Sequence, residues 1–159
     1  MQDISNYKKI KDDAYNFYKK LGRIHCPAFN NEYIYFNSEG FNHLTYKNKR
    51  SERNKNDQIT KFKLLPKAKQ IIEISTTFQE YDEGLIEIRR KKHKKRITET
   101  MIVKYWGLIA IIKNFRIKVI VREIGNGEKH FWSVIPGWST YYYKNIKLIS
   151  KSKGKLNED

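Results

Sequence analysis

Over residues 5–21 the apolar positions Tyr7, Ile10, Ala14, Phe17 and Leu21 recur at spacings of three and four, which predicts an amphipathic helix ended by Gly22. Pro27 bars further helix, so His25-Cys26-Pro27 reads as loop leading into a short strand over 32–36. Asn37-Ser38 breaks that strand. A helix is predicted over 38–50, with Ser38 as N-cap and Phe41 and Leu44 on its inward face. Residues 49–56 hold no core positions and read as a polar linker. Asp57 then caps a helix in which Ile59, Phe62 and Leu65 line one face. Pro66 breaks it, and Ala68, Ile71 and Ile72 continue the apolar signal in a further turn or helix.

From Ile74 the period changes to two. Phe78, Tyr81, Leu85, Ile86 and Ile88 predict one or two strands, with a turn at Asp82-Glu83-Gly84. Residues 89–96 are seven basic side chains in eight, a block that repels itself and reads as a loop tip between strands. Strands follow over 100–112 and 116–124. Gly125-Asn126-Gly127 makes a hairpin turn, and 130–135 returns as a strand stopped by Pro136-Gly137. An aromatic stretch over 138–143 closes the pattern. Helices followed by strands predict an α+β fold, with N-terminal helices packed on a C-terminal antiparallel sheet. The expected organisation is one domain over 1–149, with its core in 32–143, and a flexible basic tail over 150–159.

Composition narrows the function. Hydrophobic residues make up 39% and aromatics 14%, enough for a packed core. Thirty-three Lys and Arg against 17 Asp and Glu leave a net charge of +16, a field that attracts polyanions. Nucleic acid is the first partner this implies, then an anionic membrane surface, then an acidic inhibitor protein. A single cysteine, Cys26, leaves no intrachain disulfide and no cysteine-based zinc cluster. The first residues do not read as a signal peptide, and the longest apolar run, 106–112, is too short to span a bilayer. A soluble cytoplasmic protein without membrane attachment is expected.

Candidate chemistry follows by elimination. The four histidines share no ligand spacing and carboxylates do not cluster around them, so no metal is expected. No phosphate-loop, dinucleotide or nucleophile-elbow motif occurs, so no cofactor is expected. Cys26 beside His25 makes a poor dyad, since adjacent residues on extended chain point apart. Metal-free RNA cleavage needs less: a base for the 2′-OH, cations or hydroxyls for the phosphoryl charge, and an acid for the leaving oxygen. The helix over 38–50 offers His43, Lys47 and Arg50 on its outward face at i, i+4 and i+7, with Arg53 beyond. The strand half offers His130, Ser139, Thr140 and Tyr141. We take His43, Arg50, Arg53, Ser139 and Thr140 as candidate catalytic residues. Lys47, Arg90, Lys91, Lys92, Lys94, Lys95, His130 and Tyr141 are candidate substrate contacts. The plainer readings are a solvated helix face, a packed strand histidine, a simple turn at Ser139-Thr140 and a solvated basic loop. The tryptophans read mostly as core, with one exposed indole able to stack on a base.

The order of a strand, N-S-E-G-F-N-H-L, basic K-N-K-R-S-E-R, an F-K-L-L-P-K-A helix, and strands ending in V-I-P-G-W-S-T resembles the phage and polymorphic-toxin nucleases of the barnase–EndoU–colicin–RelE-like (BECR) class. The resemblance covers residues 32–143. It implies helices on an antiparallel sheet and metal-independent RNA cleavage. His43 would be the class's helix histidine, Arg50 or Arg53 its basic partner, and Ser139 or Thr140 the polar residue near the last strand. Pro136 and Gly137 depart from the hydroxyl-bearing strand end expected there. Partners would be RNA, tRNA included, and an acidic immunity or antitoxin protein. The expected function is an endoribonuclease, a toxin or phage-derived effector, acting by 2′-OH transesterification. The alternatives are a non-catalytic nucleic-acid-binding accessory protein of a phage or mobile element, and a protein–protein module whose basic face docks an acidic partner.

Overall fold

Tyr18 marks the place where helices and sheet meet. In the computed structural model, which describes residues 5–48, 50–139 and 156–159, its ring is 2% exposed. It lies edge-on to Phe36, Phe41 and Phe131 at centroid distances of 5.3, 5.3 and 5.8 Å. Its hydroxyl donates to the main-chain oxygen of Asn37 at 2.6 Å, which satisfies the one polar atom of a buried aromatic. Three segments distant in sequence are tied together here.

The chain runs α1 (Tyr7–Leu21), β1 (Arg23–Cys26), a 3₁₀ turn (Pro27–Phe29), β2 (Glu32–Tyr35), α2 (Ser38–Thr45), β3 (Tyr46–Asn48) and β4 (Ser51–Glu52). It continues as α3 (Lys55–Lys63), α4 (Leu65–Ile74), β5 (Glu80–Lys92), β6 (Lys95–Ile112), β7 (Phe115–Ile124) and β8 (His130–Ser139). This is an α+β fold, with the helices in the first half of the chain. The main sheet has the order β1-β2-β8-β7-β6-β5. It is mixed rather than purely antiparallel, because β2 meets β8 in parallel at Tyr35 and His130. No helix of the described residues is long and apolar enough to cross a membrane.

Several boundaries differ from expectation, each for a tertiary reason. Residues 23–26 are a strand and not a loop, because they pair with β2 and bury Cys26. Asn37, not Ser38, caps α2, its side chain accepting from the Gly40 N–H at 3.1 Å. The α2 helix ends at Thr45 rather than 50. The main-chain oxygen of Thr45 accepts from the Arg53 N–H at 2.8 Å, and 46–52 folds back as the small β3–β4 hairpin. That hairpin replaces the expected linker. Asn54, not Asp57, caps α3.

Strand β5 runs unbroken through 82–84, since β6 pairs with it at every step. The turn lies at His93-Lys94, and another at Lys113-Asn114. All four residues sit at positive φ, as two-residue hairpin turns demand. Strand β8 continues through Pro136, which pairs beside a register shift where its missing N–H is tolerated. The 150–159 tail was expected to be flexible. Of it, Leu156–Asp159 are described, and Leu156 is fully buried against Val103, Tyr105 and Ile120.

Alternation along the strands gives the sheet two faces. Trp106, Leu108, Val119, Val121 and Phe131 face the helices and form the larger core. Val103, Tyr105 and Ile120 face the other way and form a smaller apolar group with Leu156, Trp132 and Ile135. Close approach of α2 to β8 needs Gly40, since a Cβ there would overlap the main-chain oxygen of Phe131. The second face, walled at the β8 edge by α2 and α3, holds the polar cluster described next.

Candidate functional site

Arg122 is the centre of the cluster. It sits on β7 opposite His130 of β8, on the face away from the larger core. Its Nε donates to His130 Nε2 at 2.8 Å, and its Nη2 donates to the Glu39 carboxylate. It also interacts electrostatically with the Tyr105 phenol. Burial works against the guanidinium charge, and Glu39 and then Tyr105 sustain it. Its carbon lies 3.6 Å from the centroid of the Trp132 ring. Trp132 reaches this face by alternation from the core-facing Phe131, and the register step from Val121–Phe131 to Ile120–Ser133 brings Ser133 to the same face.

His43 stacks on the same indole at a centroid distance of 3.9 Å. Two groups this close to one centroid cannot share a face, so Trp132 is sandwiched between guanidinium and imidazole. His43 is 3% exposed. Its Nε2 accepts from Arg53 Nη2 at 3.0 Å, and its main-chain oxygen accepts from Arg53 Nε at 2.9 Å. Burial first, then Arg53, Lys61 and Arg122, push its pKa down to about 2. The outward placement expected of His43 is therefore overturned. Phe41 and Leu44 do turn inward, but the sheet curls round and covers His43 as well.

Beside this group, Lys61 of α3 is 6% exposed. Its Nζ donates to Ser133 Oγ at 2.9 Å, to the Val134 main-chain oxygen at 3.1 Å and to the Asp159 main-chain oxygen at 2.9 Å. Burial and the neighbouring Arg53 bring its pKa down to about 7. Two clefts open here. One, of about 520 Å³, is lined by Glu39, His43, Tyr46, Tyr105, Arg122, Trp132 and Asn157, among others. The other, of about 500 Å³, is lined by Arg53, Lys61, Pro136, Glu158 and Asp159, among others. Lys47 lines both.

The remaining sequence candidates divide. Arg53 joins the cluster, but as the group that holds His43 and not as a free cation. Arg50 does not join: it lies exposed in the β3–β4 turn, its N–H bonded to the Asn48 side chain at 2.9 Å. His130 joins it buried, accepting from Arg122 Nε, with its pKa lowered to about 4 by burial and by Arg122. Ser139 ends β8, with its main chain paired to Phe115; its side chain, Thr140 and Tyr141 lie outside the described residues.

The 89–96 block is not a loose loop. Strand β7 pairs with β6 only over 103–112, so residues 85–102 form a two-stranded arm beyond the sheet. Direct partners share a side. Counting from the cleft-facing Val103 and Tyr105, the residues Arg90, Lys92 and Lys95 point to the cleft side, Lys91 points to the helix side, and Lys94 is in the turn.

Sequence reading missed Glu39, Lys61, Tyr105, Lys118, Arg122, Trp132 and Ser133 as site residues. Two carried a signal. Lys61 falls three after Gln58 on the buried stripe of α3, and Arg122 interrupts the apolar run V-I-V-R-E-I. Among the described residues no group of three or more His, Cys, Asp or Glu side chains is placed to hold a metal ion.

The buried histidines make stability depend on pH. The unfolded chain protonates each below about 6.5, whereas the fold does so only near 2 for His43 and 4 for His130. Between those limits the unfolded chain holds more protons, so stability rises with pH and is lost on acidification. Lys61 has the same sign higher up, from about 7 in the fold to about 10.4 unfolded. Going from pH 7 to pH 5 is expected to remove roughly 2 kcal/mol per histidine. Urea unfolding at the two pH values checks this, and an unchanged midpoint would show that both imidazoles are solvated.

No protein-family model, no curated protein and no solved structure matches the chain.

Proposed function

We propose that the chain is an RNA-binding endoribonuclease of the cytoplasm, with its reaction centre at Glu39, Arg122 and Tyr105. One observation carries the reading. A carboxylate whose side chain is 57% exposed, bonded to a buried guanidinium, and a phenol whose proton is held by burial line one cleft walled by an indole. Glu39 takes the proton of a 2′-OH, whose oxygen attacks the adjacent phosphorus. Arg122, held by His130 and Trp132, stabilises the charge on the phosphoryl oxygens. Tyr105 gives its proton to the departing 5′-oxygen and regains one from solvent, to which Glu39 releases the proton it took. The products are a 2′,3′-cyclic phosphate and a 5′-hydroxyl end. The +16 charge suits both RNA and an acidic immunity or antitoxin protein.

The second reading, a non-catalytic nucleic-acid-binding protein of a phage or mobile element, is favoured by the burial and neutrality of both His43 and His130. Single-turnover incubation of end-labelled RNA with excess protein in EDTA separates the two. Cleavage with cyclic phosphate ends is expected. Uncut RNA that is nevertheless bound would leave the binding protein in its place.

A further inference from the structure

The main-chain oxygen of Asp159 is an unusually well-served acceptor. It takes hydrogen bonds from Lys61 Nζ at 2.9 Å, Ser133 Oγ at 2.9 Å and Arg53 Nη2 at 3.4 Å. The carboxylate of the same residue meets Lys118 Nζ at 3.3 Å. Three cations and a hydroxyl from α3, β7, β8 and the β4–α3 junction thus converge on two oxygens of one residue. Ser133 and Val134 offer Lys61 only neutral oxygens, so the negative charge beside it is supplied by Asp159, with Asp57 also contributing.

We propose that Arg53, Lys61, Lys118 and Ser133 form a subsite for one phosphate group of a nucleic acid, and that Glu158-Asp159 occupies it as an internal competitor. A phosphodiester presents two non-bridging oxygens and one negative charge, the pattern that Asp159 imitates with its main-chain oxygen and carboxylate. Lys61 is more than nine-tenths buried and aimed into the subsite, and Arg53 is fixed by two bonds to His43, so the donors are arranged in advance. Among the described residues the occupant is anchored by the buried Leu156 and also held by Lys47, at 3.4 Å from the Glu158 carboxylate, and by Trp132 Nε1 donating to the Asn157 main-chain oxygen at 3.3 Å. Its position also separates the two clefts: Asn157 lines one, and Glu158 and Asp159 line the other. A strand that filled both clefts would have to displace residues 157–159. The inference rests on the nucleic-acid reading for the identity of the ligand, but the anion site itself does not need that reading.

The test uses the full chain and inorganic phosphate. Leu156→Asp places a charge in the apolar anchor and frees the segment; Glu158→Gln with Asp159→Asn weakens the competitor while keeping the anchor. Isothermal titration should show phosphate binding at least tenfold tighter in Leu156→Asp than in the wild type. The double variant should lie between them, and it decides the matter if Leu156→Asp does not fold. Adding Lys61→Met to the tighter variant should abolish the gain. A uridine trinucleotide should compete with the phosphate and shift the amide resonances of Asn157, Glu158 and Asp159 in the wild type. Equal phosphate affinity in the wild type and both release variants would overturn the proposal, as would a gain that survives Lys61→Met. Phosphate binding without competition by the trinucleotide would confine the subsite to free phosphate and overturn its assignment to nucleic acid. Failure of the cleavage assay alone, with the titrations as expected, would remove the catalytic reading and leave the subsite standing.

Discussion

Glu39→Gln is expected to lower RNA cleavage by roughly 10²–10⁴-fold, the usual contribution of a positioned general base. The substitution keeps an oxygen to accept from Arg122, so the guanidinium stays over Trp132 while the proton acceptor is lost. RNA affinity should not fall, since one neutralised carboxylate removes repulsion from phosphate. Single-turnover rates at saturating protein, beside a binding titration, distinguish the two effects. An unchanged rate would take Glu39 out of the mechanism. His43→Ala should behave differently. It leaves a cavity beside Trp132 and removes the Nε2 acceptor of Arg53 Nη2, so a loss of roughly 1–3 kcal/mol in stability is expected, seen in urea unfolding.

The second large effect concerns the arm. Arg90, Lys92 and Lys95 lie on its cleft side by strand parity, whereas Arg89, Lys91 and Arg96 lie on the helix side. Replacing the cleft-side three by Ser should weaken RNA binding by roughly 10²-fold at moderate salt and reduce the slope of log affinity against log salt by about 2–3. Replacing the helix-side three should have a clearly smaller effect, although the net charge removed is the same. Fluorescence polarisation from 50 to 200 mM salt gives both numbers. Equal losses would mean that the arm acts only through total charge and that its orientation is irrelevant.

Local pattern determined much of this protein. The three-and-four spacing of Tyr7, Ile10, Ala14, Phe17 and Leu21 specifies α1, because a helix with that stripe has one face to bury. The alternation after Ile74 and the Gly125-Asn126-Gly127 turn specify most of the meander, and the order of the elements specifies the α+β class. Net charge pointed to polyanions, and it pointed to the arm, though as a loop. Local pattern could not place α2 in the fold. Helical periodicity put His43 opposite Phe41 and Leu44, and that is where it lies. Whether the opposite face is water or protein is decided by the curl of a sheet formed 60 or more residues later in the chain. That curl turned a candidate base into a buried, neutral stacking partner. It also left Glu39, one turn before, as the exposed titratable group beside Arg122. The pairing of Lys61 with Ser133 spans 72 residues, and that of Arg122 with Glu39 spans 83. Contacts at that separation have no period in the sequence. They are set by which strand edges meet and by one bulge in β8, which turns Ser133 toward Lys61.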